Sequence, residues 1–254
     1  MIYQKVGAKY NHIGFTGVSI PNLVNSIINI DEFVFKKKEK SLKELNEIRK
    51  NNYEGNEKIL NELKQYNLKY GTDNKEVIEL TNDIINYASI ILEQYKNQFG
   101  GKFKFGLSAP AYIEASRFFS ASLDGRKNGE PFAVHISSDS SNAYTELFQF
   151  ASKLDYGGNR FNGNVIDFIV SPNFIEDNFE KFVDFMILSI KLGFFEMQLN
   201  VVSSKTLIEA RKSPDKFPNL IVRVWGFSSY FNDLPDEYKD YLIERTLKSE
   251  GNSY

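Results

Sequence analysis

The 254-residue sequence contains no cysteine. This excludes a disulfide framework, a thiolate-ligated zinc or iron–sulfur site and a cysteine nucleophile in this chain. Histidine is nearly absent too: His12 and His135 are the only two, and no His-x-x-x-His ligand pair exists. Both read as structural or surface residues, and no metal site is expected. The G-x-S-x-G, G-x-x-x-x-G-K-[ST] and G-x-G-x-x-G patterns do not occur, so neither a nucleophile elbow nor a phosphate-cradling loop is signalled. No apolar run approaches the roughly 18 residues of a membrane span. The opening MIYQKVGAKYNHIGF lacks the apolar core of a secretory signal, so a cytoplasmic location without membrane contact is expected. Excess charge of one sign is missing as well. A net charge of −2 makes no field for nucleic acid. Lys36, Lys37 and Lys38, followed by Glu39, Glu44 and Glu47, read as the solvated start of a helix.

What is present is ordinary for a globular protein: 42% hydrophobic and 25% charged residues. Leu23, Val24, Ile27, Ile28 and Ile30 form a helical stripe. Ser41 and Glu44 have the spacing of a capping box, in which the hydroxyl takes an orphan amide and the carboxylate reaches back. The pattern predicts a polar helical stretch from Asn51 to Tyr70, broken at Gly55. A long helix is expected from Asn74 to Phe99, with Val77, Thr81, Ile84, Ala88, Ile91 and Tyr95 on one face, widened by Ile78, Ile85 and Leu92, and Gly100-Gly101 as its stop. From there to about Ser171 the sequence reads as loop-rich. Asp124 and Arg126 organise a turn in Asp124-Gly125-Arg126-Lys127-Asn128-Gly129-Glu130-Pro131, and Ser137 to Asn142 reads as a polar loop. Phe179–Leu192 is an aromatic-rich helix ended by Gly193. A strand comes next at Met197–Val202, with Gln198 and Asn200 on the face opposite Met197 and Leu199. Thr206–Lys212 is a short helix, Leu220–Val224 a second strand, and Pro235 starts a final helix. The alternation points to α/β architecture. Only three or four strands are legible, too few to close a barrel.

The segment Asn219–Phe231, NLIVRVWGFSSYF, sets Gly226 between two aromatics just past strand-forming residues. Locally this is a turn glycine at a strand end. Arg223-Val224-Trp225-Gly226-Phe227-Ser228, however, resembles the signature of glycyl radical enzymes, the group of pyruvate formate-lyase and the radical dehydratases. In that family Arg-Val, a small residue, Gly and Tyr lead into a loop. The resemblance continues through Gln198-Leu199-Asn200-Val201-Val202, Thr206–Ala210, Pro214–Pro218 and Glu244-Arg245-Thr246. Upstream it takes in the Asp124-Gly125-Arg126 loop, Tyr70–Asp73, Gly100–Phe103 and Gly14–Gly17, so nearly the whole chain is covered. Trp225 and Phe227 depart from the usual small residue and tyrosine.

The resemblance implies the C-terminal portion of a ten-stranded α/β barrel with a C-terminal glycyl radical loop and helix. Residues 1–195 would form the helical, loop-rich barrel segment and 196–254 the glycyl radical domain. It implies that Gly226 stores a radical, with Arg223, Val224, Trp225 and Phe227 supporting the loop. Gln198 and Asn200 face the barrel interior, where they line a substrate pocket or bond loop backbone. The radical would be installed by an S-adenosylmethionine-dependent activase carrying a [4Fe-4S] cluster, under anaerobic conditions, and no cofactor would be bound permanently. Family members pass the radical to a cysteine, which this chain lacks. Three accounts are open: a radical-bearing subunit of a split lyase or dehydratase with a larger cysteine-containing partner, a spare part for an oxygen-cleaved enzyme, or a radical-less scaffold. The extent of the resemblance favours the split enzyme, acting on a small-molecule substrate.

Overall fold

A computed structural model describes residues 9–108, 111–137, 143–224 and 227–251. Its strands are Ile13–Thr16 (β1), Phe103–Gly106 (β2), Ile136–Ser137 (β3), Arg160–Asn162 (β4), Val165–Val170 (β5), Glu196–Val201 (β6), Ile221–Val224 (β7) and Phe227–Tyr230 (β8). The helices are Ile20–Ile30 (α1), Leu42–Lys50 (α2), Glu57–Gln65 (α3), Lys75–Glu93 (α4), Tyr112–Ser116 (α5), Tyr144–Ser152 (α6), Pro172–Asp177 (α7), Phe179–Leu192 (α8), Ser204–Lys212 (α9) and Asp236–Gly251 (α10). Two three-stranded sheets, in the orders β1-β2-β4 and β3-β5-β6, are parallel throughout. Parallel neighbours need crossover connections, and α1 to α4 bridge β1 to β2 while α7 and α8 bridge β5 to β6. β7 and β8 form a separate antiparallel hairpin.

The region from Gly100 to Ser171, expected to be loop-rich, instead supplies β2 to β5 with α5 and α6. The reason is visible in β5, Val-Ile-Asp-Phe-Ile-Val, every residue of which is buried. A parallel strand covered on both faces has no alternation for a period-two reading to detect. Its neighbours β2 and β3 are too short to show one. Of the expected polar loop, Ser137 belongs to β3, and residues 138–142 lie outside the described residues. Above β5, Phe148 of α6 meets Phe168, Phe185 and Phe194 edge-on at centroid distances of 5.6, 4.9 and 4.9 Å. This aromatic cluster anchors the main core, joined by Val24, Val77, Ile85 and Ile166.

The helix boundaries obey local chemistry. The Ser41–Glu44 capping box forms as expected. Asn74 caps α4 by accepting from the amides of Glu76 and Val77. α4 stops at Glu93, earlier than expected, and Gly100-Gly101 serve a tight turn instead. Asn97 N donates to Gly101 O at 2.9 Å, and a Cβ on Gly101 would stand 1.8 Å from Asn11 O. The buried residues of α4 are Val77, Thr81, Ile85 and Ser89; Ile78, Ile84, Ala88 and Leu92 of the expected face pack partly buried against the core, and only its far end, Ile91 and Tyr95, is exposed. Tyr87 and Ile90 of α4 and Leu188 and Ile190 of α8 are exposed as well. Of the stretch 51–70, only Glu57–Gln65 is helical, because Asn52 and Tyr53 take positive φ in a turn ahead of it. α8 runs as read, and Gly193 ends it at φ 76. The Asp-Gly-Arg turn is internally bonded: Asp124 Oδ1 accepts from Ser122 Oγ at 2.5 Å and from Arg126 N at 3.3 Å. The buried Arg126 guanidinium donates to the carbonyls of Lys127, Glu130 and Ser120.

Phe148 is 1% exposed, so Phe148→Ala removes the ring on which the other three converge. The expected loss is about 3–5 kcal/mol in denaturant unfolding, against no more than about 0.5 kcal/mol for an exposed control such as Lys58→Ala.

Candidate functional site

Trp225 and Gly226 lie outside the described residues. The strands on either side are described: Ile221 pairs with Tyr230, Val222 with Ser229, Arg223 with Ser228 and Val224 with Phe227. β8 was not legible in the sequence, which reads there as a strand leading into a loop; the two serines of Phe-Ser-Ser-Tyr break any apolar alternation. Val222 and Val224 point into a core with Tyr112, Ile113, Phe132, Val134 and Phe231. Arg223, on the opposite face by the period of two, donates from Nη1 to Ser228 Oγ across the hairpin at 3.4 Å.

The face of β6 that carries Gln198 and Asn200 is the buried one. Met197 and Leu199, on the other face, are only partly buried as they pack against the main core. Asn200 Oδ1 accepts from Arg223 N at 2.7 Å, and Asn200 Nδ2 donates to Arg223 O at 3.0 Å. The side-chain amide thus copies the donor and acceptor of a neighbouring strand, and joins β6 to β7 three residues before Gly226. Gln198 Nε2 donates to Asp167 Oδ1 on β5 at 3.1 Å. The other oxygen, Asp167 Oδ2, accepts from Arg245 Nη1 of α10 at 2.6 Å, and Arg245 Nη2 reaches the Asp167 carbonyl at 3.3 Å. Both side chains are almost wholly buried, at 5% and 2% exposure. The two polar residues of β6 therefore hold two elements of the C-terminal region, Asn200 the first strand of the hairpin and Gln198, through Asp167, the helix α10 that follows the hairpin. Asp167 and Arg245 were not singled out from sequence as a pair; the signal available was one carboxylate within the apolar run of β5.

His135 enters β3 at φ 44, a left-handed conformation uncommon for a residue with a Cβ. It is 5% exposed. Burial pushes its pKa down to about 4, with Arg245 adding to the effect while Asp167 and a Leu107 backbone hydrogen bond oppose it. His12 is exposed, and its Nδ1 accepts from Lys102 N at 3.0 Å. Among the described residues there is no group of three potential metal ligands, and no helix long and apolar enough to cross a membrane.

Comparison with known proteins gives these features a context. A family model described as Pyruvate formate lyase-like matches residues 1–111, and one described as Glycine radical matches residues 136–232. The trans-4-hydroxy-L-proline dehydratase of Clostridioides difficile is 29% identical over 252 residues, which cover 96% of this chain and 31% of that protein. The (2S)-3-sulfopropanediol dehydratase of Klebsiella oxytoca is 28% identical, covering 94% of this chain and 30% of its own length. The crystal structure of hydroxyproline dehydratase from C. difficile with trans-4-hydroxy-L-proline bound superposes with a TM-score of 0.85 at 27% identity, over 96% of this chain and 31% of that one. The B12-independent glycerol dehydratase of Clostridium butyricum, with glycerol bound, gives 0.84 at 29% identity, over 94% of this chain and 31% of that one. The chain thus spans about three tenths of the length of these relatives.

Two outcomes are expected from the buried charges. The unfolded chain binds a proton at His135 near pH 6.5, whereas the folded chain resists until about pH 4. His135 therefore favours folding above pH 6.5, and that contribution is lost as the pH falls between these values. The loss is on the order of 3 kcal/mol in urea titrations across the range, and His135→Phe flattens the slope. Arg245→Met leaves Asp167 as an uncompensated buried charge and costs about 3–5 kcal/mol. Adding Asp167→Asn recovers part of that loss in the same unfolding assay.

The parallel strands with crossover helices match part of the α/β architecture of these relatives, and the two family models together take in most of the sequence. On that footing the chain belongs to the glycyl radical enzyme family.

Proposed function

We propose that this chain is the glycyl-radical-bearing subunit of a two-component glycyl radical enzyme, with Gly226 as the radical store. The observation that carries this reading is one combination: similarity to glycyl radical enzymes runs over 96% of the chain, and its 254 residues include no cysteine. A larger partner contributes the cysteine and the remaining barrel strands. The exposed apolar side chains of α4 and α8, Tyr87, Ile90, Leu188 and Ile190, give such a partner something to cover. The spare-part alternative is less well supported, because the match already includes residues 1–111. We take 196–254 as the radical-bearing segment.

Glycine suits this role for a stated physical reason. A radical at Cα is stabilised when the centre flattens and delocalises into both flanking peptides, and only glycine has no Cβ to oppose that flattening. An S-adenosylmethionine-dependent activase with a [4Fe-4S] cluster supplies the radical that removes one hydrogen atom from Gly226 Cα. Gly226 later takes a hydrogen atom from the partner's cysteine S–H, which leaves the unpaired electron on sulfur to attack the substrate. At the end of turnover Gly226 Cα returns the hydrogen atom to sulfur. Val224, Trp225 and Phe227 flank Gly226 with apolar residues, and Arg223 ties β7 to β8. Gln198 and Asn200 act here as anchors of the hairpin and of α10, rather than as pocket residues. The relatives are named for small hydroxylated molecules, trans-4-hydroxy-L-proline, (2S)-3-sulfopropanediol and isethionate. Cleavage of a C–O, C–S, C–N or C–C bond in a small substrate is the corresponding reaction class, carried out anaerobically in the cytoplasm.

Purification of the chain from its source without oxygen is expected to bring a larger cysteine-containing protein with it. With that partner and the activase, electron paramagnetic resonance is expected to show a carbon-centred radical. Gly226→Ala abolishes the signal and leaves assembly intact, since one methyl costs at most a few kcal/mol. A wild-type signal that persists in Gly226→Ala overturns the assignment. Air exposure after activation is expected to cut the chain at Gly226, which mass spectrometry detects.

A further inference from the structure

Four buried side-chain atoms among the described residues have no hydrogen-bond partner: Arg126 Nε, His135 Nε2, Arg160 Nε and Asn164 Oδ1. An unpaired buried polar atom is costly, about 1–3 kcal/mol, so their placement is informative. All but Arg160 belong to residues lining two adjoining cavities, one of about 350 Å³ and one of about 10 Å³. The cavities share His135, Tyr70, Pro21 and Ala133 as walls.

The inner end is chemically defined. His135 bonds the Leu107 backbone through its other nitrogen and is neutral near pH 7, so Nε2 offers a lone pair. Asn164 is 2% exposed, and its Nδ2 donates to Tyr70 Oη, so Oδ1 also offers a lone pair. Two unpartnered acceptors on residues that line one small cavity repel a carboxylate and call for a group that donates hydrogen. The outer end has the opposite character. Four cationic side chains stand against three carboxylates around the wide cavity, which leaves one positive charge over. Lys64 pairs with Glu130 at 3.8 Å and Lys248 with Glu244 at 2.8 Å. Lys69 donates to the Lys64 carbonyl, and the described hydrogen bonds of the Arg126 guanidinium all go to main-chain carbonyls. Asp124, already accepting from Asn22, Ser122 and Arg126 N, is a carboxylate near both cations, and Glu130 also stands near Arg126.

We propose that the two cavities form one binding site for a small hydroxy acid, with its hydroxyl at His135 and Asn164 and its carboxylate toward Lys69 and Arg126. A hydroxyl fits the inner end better than an ammonium because the surplus charge of the outer cavity is already positive. The site consists of residues of this chain alone and is independent of whether Gly226 carries a radical.

With only two histidines in the chain, the full-length protein labelled with nitrogen-15 histidine gives a direct readout of His135 Nε2, with His12 as internal control. L-lactate is expected to shift the His135 resonance saturably. Propionate, lacking the hydroxyl, and propane-1,2-diol, lacking the charge, each bind about tenfold more weakly, as loss of one good polar contact implies. Lys69→Met, its fold checked by circular dichroism, lowers lactate affinity about tenfold and leaves the diol unchanged. The proposal is overturned if no probe shifts the resonance saturably, if all three bind alike, or if Lys69→Met leaves lactate binding unaltered.

Discussion

The buried ion pair between Asp167 and Arg245 is the constraint around which the rest of the molecule is arranged. A carboxylate in the middle of a wholly buried strand is a large liability unless it is paired and fully hydrogen-bonded. Both conditions are met here. Arg245 fills one oxygen and the main-chain carbonyl, and Gln198 fills the other oxygen. Satisfying one residue of β5 therefore fixes the position of β6 beside it and of α10 across it. Because α10 comes soon after the hairpin, the pair also fixes where the hairpin must end. His135 feels both charges, which ties the entry of β3 to the same arrangement.

Legibility in the sequence tracked the physical origin of each element. The capping box at Ser41, the helix ended by Gly193 and the strand at β6 were readable because each is specified by local chemistry or by a clean period. β5 was not, since burial on both faces erases the period, and β8 was not, since two serines occupy half of it. α4 was readable in kind but not in extent: its apolar stripe continues past Glu93, yet Ile91 and Tyr95 are exposed. Those side chains are apolar without belonging to the core of this chain, so a pattern that equates apolar with buried overshoots.

The candidate site shows the same division. Gly226 and Arg223 stood out through a six-residue resemblance, and Gln198 and Asn200 through alternation together with the continuation of that resemblance. That alternation identified which face they share but not what they touch, since a buried amide serves a ligand or a neighbouring backbone equally well. In the structure Asn200 bonds both the amide and the carbonyl of Arg223. His135 and Asn164 carry no motif at all; only the geometry of the space between them and Tyr70 gives them meaning.

The paired contacts of Asn200 also set the hairpin's alignment. Side chains along a strand alternate every two residues, so displacing β7 by one position past Asn200 would carry the Arg223 guanidinium into the space now filled by Val222 or Val224. The apolar packing beneath rejects that displacement, and the amide above marks the one position that remains. Val224, the last described residue of β7, is thereby measured out from a fixed origin on β6, like a mark on a ruler whose zero cannot drift.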